Sequence, residues 1–246
     1  MLMRAIEGAR SAPSYPELAG KRVLITGLTS AGGVDIARAF AEHRCKLVLQ
    51  FAEVSEPMQT VAEVVAPDAL ETKVYGPVAY DTEAVVGFAR TAAQAFGGLD
   101  AVINLVALEP ARLKPAASTA DIEQQVATKL ALPFLMAKVA ANRMGLVLNE
   151  GLVLNVATLA DKAGPFARAF AAITKSALVG MTRAQAEEWA PKGIRFNAIA
   201  PQVAQADTPA EPALNGEPDV ASLALYLASG RGKALSGCVF EVGSGQ

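Results

Sequence analysis

The chain is poor in the residues on which most metal and nucleophile chemistry depends. Its 246 residues include one histidine, two cysteines and one tryptophan, and aromatic residues make up only 6%. This composition excludes a disulfide framework and a zinc site with the usual cysteine and histidine spacing. We therefore expect no metal site. Cys45 and Cys238 lie in or beside apolar strand-like runs, which favours buried thiols.

An excess of charge of one sign is also missing. The chain has 22 basic and 24 acidic residues, a formal net charge of -2 and a pI near 5.6, so no basic surface for nucleic acid is indicated. Residues 1–20 hold no continuous apolar segment of the signal-peptide type, and no later stretch offers about 18 uninterrupted apolar residues. We expect no nucleic-acid partner, no membrane attachment and a cytoplasmic location.

What the chain does have is apolar residues in alternating short and long runs. Hydrophobic residues make up 52% and charged residues 19%, enough for one large core. The predicted strands are 22–26, 46–51, 70–74, 99–106, 152–156, 195–198 and 239–242, and the predicted helices are 34–43, 82–96, 122–144, 166–189 and 220–228. This alternation predicts an α/β fold, a doubly wound Rossmann domain with six or seven parallel strands. The domain would cover residues 19–246 after an N-terminal extension of residues 1–18.

A glycine-rich turn joins the first predicted strand to the first predicted helix. It reads Thr26-Gly27-Leu28-Thr29-Ser30-Ala31-Gly32-Gly33. Backbone N–H groups and the positive end of the helix dipole at such a position can receive a pyrophosphate. Ala31 carries a methyl group where close backbone approach favours glycine. Two interpretations stay open, because the loop either still holds a nucleotide or is now only a turn.

These motifs together resemble the short-chain dehydrogenase/reductase family over residues 19–243. The glycine turn is similar to the family's T-G-x-x-x-G-x-G pattern. The other segments that carry the resemblance are Asn104-Leu105-Val106-Ala107, similar to N-N-A-G, the strand that ends at Thr158, the helix that carries Lys175, and Arg195-Phe196-Asn197-Ala198-Ile199-Ala200-Pro201. The resemblance implies a Rossmann fold, a nicotinamide cofactor and an active site at the glycine-turn edge of the sheet.

The implied active site is incomplete in this chain. In the family a serine polarises the substrate oxygen, a tyrosine passes it a proton, and a lysine lowers the tyrosine pKa and holds the nicotinamide ribose. Thr158 matches the serine and Lys175 the lysine, but Ala171 stands at the tyrosine position. Lys129 stands where the family has an asparagine. An alanine has no proton to give, and a lost general acid typically costs roughly 10²–10⁴-fold in rate.

The retained groups each have an interpretation without chemistry. Thr158 either donates its hydroxyl to a substrate or only caps the end of its strand. Lys175 either holds a ribose or extends its ammonium into solvent. If Lys129 and Lys175 face one small cavity, their charges repel. Either one of them then points away, or an anion lies between them.

The resemblance also implies a set of cofactor contacts. By position they are Thr26, Gly27, Thr29, Ser30, Gly32, Gly33, Asn104, Lys175 and Pro201. Val78 stands where the family has an Asp or Asn on the adenine ring, and valine accepts no hydrogen bond. The segment Gln50-Phe51-Ala52-Glu53 after the second strand selects neither NAD nor NADP. We predict that NAD(P)(H) binds weakly if it binds.

No residue is predicted to replace the missing tyrosine. Tyr15, Tyr75, Tyr80 and Tyr226 fall in segments away from the helix that carries Lys175. The single histidine, His43, ends the first helix, where it suits the helix dipole. The segment 202–218, which forms a mobile lid in the family, is short here, and a shortened lid excludes less water.

These departures predict a family member that keeps the fold while its catalysis is impaired or absent. Such a chain would act as a subunit, paired with itself or with an active paralogue through the helices 122–144 and 166–189, which match the family's dimer helices. Two alternatives remain. One is an active NAD(P)(H)-dependent carbonyl or alcohol oxidoreductase with a non-standard proton donor, and the other is a nucleotide-sensing regulator without turnover.

Overall fold

A parallel β-sheet runs through the chain and carries helices on both faces. The computed structural model describes residues 14–29, 32–53, 56–79, 81–108, 118–147, 150–159, 164–201, 214–215 and 217–243. Its strands are β1 Arg22–Leu28, β2 Lys46–Phe51, β3 Glu71–Tyr75, β4 Ala101–Ala107, β5 Gly151–Thr158, β6 Ile194–Pro201, β7 Leu214–Asn215 and β8 Val239–Gly243. They lie in the order β3-β2-β1-β4-β5-β6-β8-β7, with every neighbouring pair parallel.

In the part of the chain that the structure describes, six α-helices cover this sheet. They are α1 Val34–Glu42, α2 Glu56–Val65, α3 Thr82–Gln94, α4 Thr119–Val147, α5 Pro165–Trp189 and α6 Glu217–Ala228. Successive residues of each central strand face opposite layers. Ile25 and Ile103 pack with α1, α2 and α6, whereas Leu24 and Val102 pack with α3, α4 and α5. Because both faces are covered, the central strands are apolar at nearly every position.

The structure confirms the predicted doubly wound Rossmann fold. Seven longer strands form the sheet, and β7 adds a two-residue strand at its edge. Sequence analysis missed both β7 and α2. Of the α2 side chains that the structure describes, those of residues 60–65, Val61 and Val65 are 9% and 0% exposed, whereas Val64 is 46% exposed. The apolar residues of this part of α2 thus do not all lie on its buried face.

Local side-chain contacts explain where two helices begin. Ser118 and Asp121 cap the start of α4 reciprocally, because the Ser118 amide donates to the Asp121 carboxylate at 2.9 Å and the Asp121 amide donates to the Ser118 hydroxyl at 3.2 Å. This cap extends α4 beyond the predicted range 122–144. At α3, the Asp81 carboxylate accepts the Ala84 amide at 2.8 Å.

Part of the predicted N-terminal extension packs onto the domain. The side chains of Tyr15 and Leu18 are 4% and 1% exposed, and both belong to the core on the α1 side of the sheet. A 3-10 turn, Pro16–Leu18, positions them. The described part of the segment 1–18 is therefore a cover for this core.

Among the described residues, α4 is long and apolar enough to cross a membrane by length and composition alone. Core helices of layered folds meet the same criteria. In this chain Met136, Ala137, Ala140 and Met144 of α4 are buried in the layer shared with α3 and α5. One face of α4 is thus part of the domain core.

Candidate functional site

The glycine turn lies at the carboxyl edge of the sheet, between β1 and α1. Gly27 and Gly33 have φ angles of 75° and 86°, values that glycine adopts without strain. A Cβ atom on Gly27 would lie 2.5 Å from the Leu105 carbonyl oxygen, and one on Gly33 would overlap the Leu105 side chain. Close contact with β4 therefore accounts for both glycines. Ser30 and Ala31 lie outside the described residues.

Gln50, which sequence analysis did not assign, ties this turn to the neighbouring strand ends. Its side chain is 2% exposed. The Oε1 atom accepts the Gly27 amide at 2.9 Å, and Nε2 donates to the carbonyls of Phe51 and Gly76 at 2.5 and 3.3 Å. The signal that could have identified it is a polar residue in an otherwise apolar strand. An amide of the glycine turn thus already has a protein acceptor.

The start of α1 is only partly suited to an anion. Gly33 is its N-cap residue and provides no side-chain cap, so amides of the first turn face outward. Thr29 donates its amide to the Gly32 carbonyl at 3.2 Å and closes the turn. Asp35 stands in the first turn of α1, 3.9 Å from Arg38. Its carboxylate complements the helix dipole in the way that a phosphate would.

A chain of buried polar side chains crosses the sheet beneath the turn. The Thr26 hydroxyl donates to Asn104 Oδ1 at 3.0 Å, Asn104 Nδ2 to Asn155 Oδ1 at 3.0 Å, and Asn155 Nδ2 to the Thr182 hydroxyl at 3.1 Å. All four side chains are at most 1% exposed. Thr26 and Asn104, predicted as cofactor contacts, therefore bond within the protein. Asn155 and Thr182 were not predicted.

The reacting end of the site is the part where the resemblance places the serine, tyrosine and lysine positions, Thr158, Ala171 and Lys175. There, Ala171 lies inside an apolar cluster. It is 0% exposed. The cluster also contains Val106, Leu108, Ala157, Leu178 and Ala200, and Leu130, Leu159 and Met181 pack against it. Larger apolar side chains fill the surroundings of the alanine. No group of this cluster can donate a proton.

Thr158 and Lys129 stand at the margins of this cluster. Thr158 is the last residue of β5 and lies opposite Ala107 of β4. Its carbonyl oxygen accepts the Leu108 amide at 2.8 Å, so its backbone extends the pairing of β5 with β4. Lys129 lies partly buried on α4.

Lys175 makes its polar contacts within the protein. Its Nζ atom donates to Glu241 Oε1 at 2.7 Å and to the Pro201 carbonyl at 3.1 Å. The Lys175 side chain is 15% exposed and that of Glu241 53%. The ammonium is therefore not extended into solvent. Pro201, predicted as a cofactor contact, supplies an acceptor to Lys175, and Glu241 was not predicted at all.

The remaining residues considered for a role in the chemistry lie elsewhere. Tyr15 packs against His43 with ring centroids 5.9 Å apart, and Tyr75 meets the Phe88 ring edge-on. Tyr226 lies on α6. Val78 packs partly buried in the layer of α3 and α4. Tyr80 and the segment 202–213 lie outside the described residues. Within the described ranges, no group of three or more His, Cys, Asp or Glu side chains could hold a metal ion.

A cavity of about 840 Å³ opens at the opposite, amino edge of the sheet. Its charged lining residues are Glu17, Lys21, Asp100, Glu150, Arg195 and Lys233. Arg195 donates from Nη1 to the carbonyls of Leu227 and Gly232, both at 2.8 Å. Burial lowers the pKa of Arg195, and the Glu150 charge opposes this shift. This edge lies at the opposite ends of the strands from the glycine turn, and its hydrogen bonds involve residues near the strand starts.

The described residues fit a nicotinamide dinucleotide at one end of the site only. At the glycine turn, the described residues include Gly27 and Gly33 in a left-handed conformation and the start of α1. At the reacting end Lys175 is bound to Glu241 and Pro201, and Ala171 is enclosed by apolar side chains. We therefore derive no catalytic step through a nicotinamide.

Comparison with known proteins agrees with the fold and with the pattern of the motifs. The family model for short chain dehydrogenases matches residues 21–215. An uncharacterized oxidoreductase of Thermotoga maritima is 30% identical over 188 residues, which cover 76% of this chain and 73% of that protein. The 3-oxoacyl-[acyl-carrier-protein] reductase FabG of Staphylococcus aureus is 24% identical over 240 residues, covering 92% and 97%.

Solved structures show the same architecture. A short-chain dehydrogenase/reductase of Serratia marcescens superposes with a TM-score of 0.73, at 21% identity, over 93% of this chain and 98% of that one. At this identity the likeness supports the fold alone. The family model covers most of the chain, and the chain belongs to the short-chain dehydrogenase/reductase family.

Proposed function

We propose that this protein is a catalytically impaired member of its family that keeps the fold and serves as a subunit of a homo- or hetero-oligomer. The observation that carries the proposal is Ala171, which is 0% exposed inside an apolar cluster. The residue at the position that the family uses for its proton donor thus has no proton to donate, and apolar side chains enclose it. Lys175, the retained member of the catalytic set, is already paired with Glu241.

Exposed apolar side chains support the role as a subunit. On α4 they include Phe134, Leu146 and Val147, which are 39%, 74% and 46% exposed, and on α5 Ile173, which is 49% exposed. These are the two helices proposed to pair with a partner. Exposed apolar patches are typical of protein interfaces. The proposed partner is a second copy of this chain or an active paralogue, in the cytoplasm and without nucleic acid or membrane.

Members of this family typically bind NAD(P), and we propose that this chain binds it weakly. Val78 offers no acceptor at the adenine position, Gly27 gives its amide to Gln50, and Glu241 occupies Lys175. Each lost contact is worth on the order of 1 kcal/mol. Together they support dissociation constants in the high micromolar range or weaker, by order of magnitude.

One alternative is favoured by a specific observation. The related proteins from Thermotoga maritima and Staphylococcus aureus are named as an oxidoreductase and a reductase. An active enzyme would need a proton donor from water, substrate or a residue outside those described. A nucleotide sensor would bind the cofactor without turnover.

Calorimetric titration with NAD(H) and NADP(H), combined with a reduction assay on generic carbonyl substrates, separates these functions. Weak or absent binding without turnover supports the impaired subunit. Tight binding without turnover indicates a sensor, and robust turnover indicates an enzyme. Either of the last two results would refute the proposal.

Assembly is tested by light scattering at tens of micromolar protein. We expect a dimer or tetramer for the wild type. Ile173→Glu and Phe134→Glu should weaken it, because a carboxylate in an apolar interface is costly to bury. Leu70→Glu is the matched control, since Leu70 is also exposed, at 48%, but precedes β3 at the far edge of the sheet. A monomeric wild type, alone and with a paralogue, would contradict the subunit role.

A further inference from the structure

We infer that Glu241 is an internal ligand of Lys175, which keeps the lysine from any ribose or other oxygen ligand at the reacting end. The inference rests on the proposed impairment and names a residue that enforces it. Loss of the tyrosine removes a proton donor, whereas Glu241 removes a binding group. The two effects are chemically separate, so they can be tested separately.

Two of the three N–H donors of Lys175 are already hydrogen-bonded within the protein. An ammonium has three N–H donors and no acceptor. Glu241 takes one donor at 2.7 Å and the Pro201 carbonyl takes a second at 3.1 Å. The short distance to a charged oxygen is typical of a strong, charge-assisted hydrogen bond. At most one donor of Lys175 remains for a ligand, and its charge is already balanced.

Sheet register brings the carboxylate to this position. Strand β8 pairs in parallel with β6, with Glu241 opposite Ala200 and Val242 opposite Pro201. The two partners of Lys175 therefore come from adjacent strands, at consecutive steps of the same ladder. Helix α5 presents Lys175 to both. The contact of Lys175 with Glu241 and Pro201 is thus formed by residues of α5, β8 and β6, and it does not depend on a loop.

Replacing Glu241 by a ribose is unfavourable. A hydroxyl oxygen carries no net charge, so the exchange gives up the Coulomb attraction between ammonium and carboxylate. A released carboxylate would also stand close to a ligand that carries phosphates, and like charges repel. Because the Glu241 side chain is 53% exposed, solvent screens these interactions and the expected effect is moderate.

The test compares Glu241→Gln and Glu241→Ala with a matched control, Glu150→Gln. Glu150 pairs with Lys233 at 3.5 Å on the surface, at the opposite edge of the sheet. The first readout is the rate at which an amine reagent labels Lys175, followed by mass spectrometry without nucleotide. The second is the dissociation constant for NADPH and NADH. Circular dichroism and thermal unfolding check that each variant is folded.

We expect both Glu241 variants to label faster at Lys175 and to bind NADPH or NADH about two- to fivefold more tightly, the range that one screened ion pair corresponds to. The Glu150 variant should change neither readout. Adding Lys175→Met to Glu241→Gln should abolish the gain in affinity. A gain that survives Lys175→Met would overturn the inference, because Glu241 would then act on the ligand without Lys175.

Failure of the inference is distinguishable from failure of the proposed function. The inference depends on the difference between wild type and variants, and unchanged labelling together with unchanged affinity overturns it. The proposed function depends on the wild type alone, and tight binding or turnover by the wild type overturns that. If the wild type binds weakly and the variants gain neither labelling nor affinity, the proposed function holds and the inference about Glu241 is wrong.

Discussion

At the glycine turn, Gly27 and Gly33 have φ angles of 75° and 86°, whereas at the reacting end Ala171, at the position where the resemblance predicts a tyrosine, is fully buried. The two ends of the proposed site thus differ in what the fold requires of them. The glycines are in close contact with Leu105 of β4, so replacing them would disturb the sheet. Ala171 packs among apolar side chains that a small residue suits. The conformation of Gly27 and Gly33 is therefore required by the fold itself, whatever the turn binds.

The largest effect is expected from placing a tyrosine at position 171. Ala171→Tyr must place an aromatic ring and a hydroxyl among Val106, Leu108 and Leu178. Overpacking and a buried hydroxyl together should lower the free energy of unfolding by about 3 kcal/mol or more, without restoring turnover. Urea denaturation and the carbonyl reduction assay measure the two outcomes.

The neighbouring residue supplies the control. Ala172 is exposed on the same helix, so Ala172→Tyr should leave stability almost unchanged. If Ala171→Tyr is as stable as the wild type and reduces carbonyl substrates, the reacting end is open, and the contrast between the two ends disappears.

Catalytic groups act together. In the carbonyl reduction assay, Ala171→Tyr combined with Lys129→Asn and Ala31→Gly should therefore gain more turnover than the separate changes add up to.

A methyl group on Gly27 tests the other end. Gly27→Ala combines a left-handed backbone with a Cβ atom 2.5 Å from the Leu105 carbonyl oxygen. It should cost about 2 to 3 kcal/mol of stability. Gly20 has a similar φ of 77° but no atom within 4 Å of an added Cβ, so Gly20→Ala should cost about 1 kcal/mol. Equal losses in thermal unfolding would mean that contact with β4 is not what retains Gly27.

The buried polar chain spans both ends and should be the next most sensitive feature. Asn155→Leu leaves the amide of Asn104 and the hydroxyl of Thr182 without their partner, at a cost of about 2 kcal/mol. Thr182→Val should cost less, and the double variant less than the sum, because the two side chains share one hydrogen bond. Additive losses would show that the chain is not a connected network.

The fold was predictable from the sequence because it depends on repeated patterns. Alternating apolar runs gave seven of the strands, and the central strands β1 and β4 were the clearest, since both of their faces are buried. The two-residue β7 has no room for such a pattern. In the described part of α2, the exposed Val64 lies beside the buried Val61 and Val65, so its apolar residues do not mark one face clearly.

The candidate site was predictable only where a residue acts through its position in a motif. That Ala171 stands at the tyrosine position of the family stays a prediction, which rests on its spacing to Lys175. The contacts of Gln50 with Gly27 and of Glu241 with Lys175 join residues far apart in the chain, and no local pattern encodes them. Such pairings arise from strand register, which a single sequence does not reveal.

The smallest effect is expected at the amino edge, where charge pairing takes the place of the neutral hydrogen bonds that link Thr26, Asn104, Asn155 and Thr182. The Asp100 carboxylate accepts the Arg22 amide at 2.9 Å and Arg22 Nε at 2.8 Å, with Lys21 Nζ at 3.4 Å. Burial raises the pKa of Asp100, but the hydrogen bonds from Arg22 and the charges of Lys21 and Arg22 outweigh it. The pKa in the folded state is therefore lowered from 3.8.

The sign of the pH dependence follows from this direction. The unfolded chain takes up the proton first, so the stability from Asp100 is present above about pH 4 and is lost as the pH falls through the lower pKa of the folded state. Asp100→Asn should cost about 1 to 2 kcal/mol near pH 7 and progressively less towards about pH 3. The cost of Asn155→Leu should not change with pH, because its network holds no titratable group. Urea midpoints for both variants and the wild type at the two pH values decide this. If the cost of Asp100→Asn is equal at both pH values, the charge of Asp100 does not contribute to stability. The contrast with the neutral network of Asn155 then disappears.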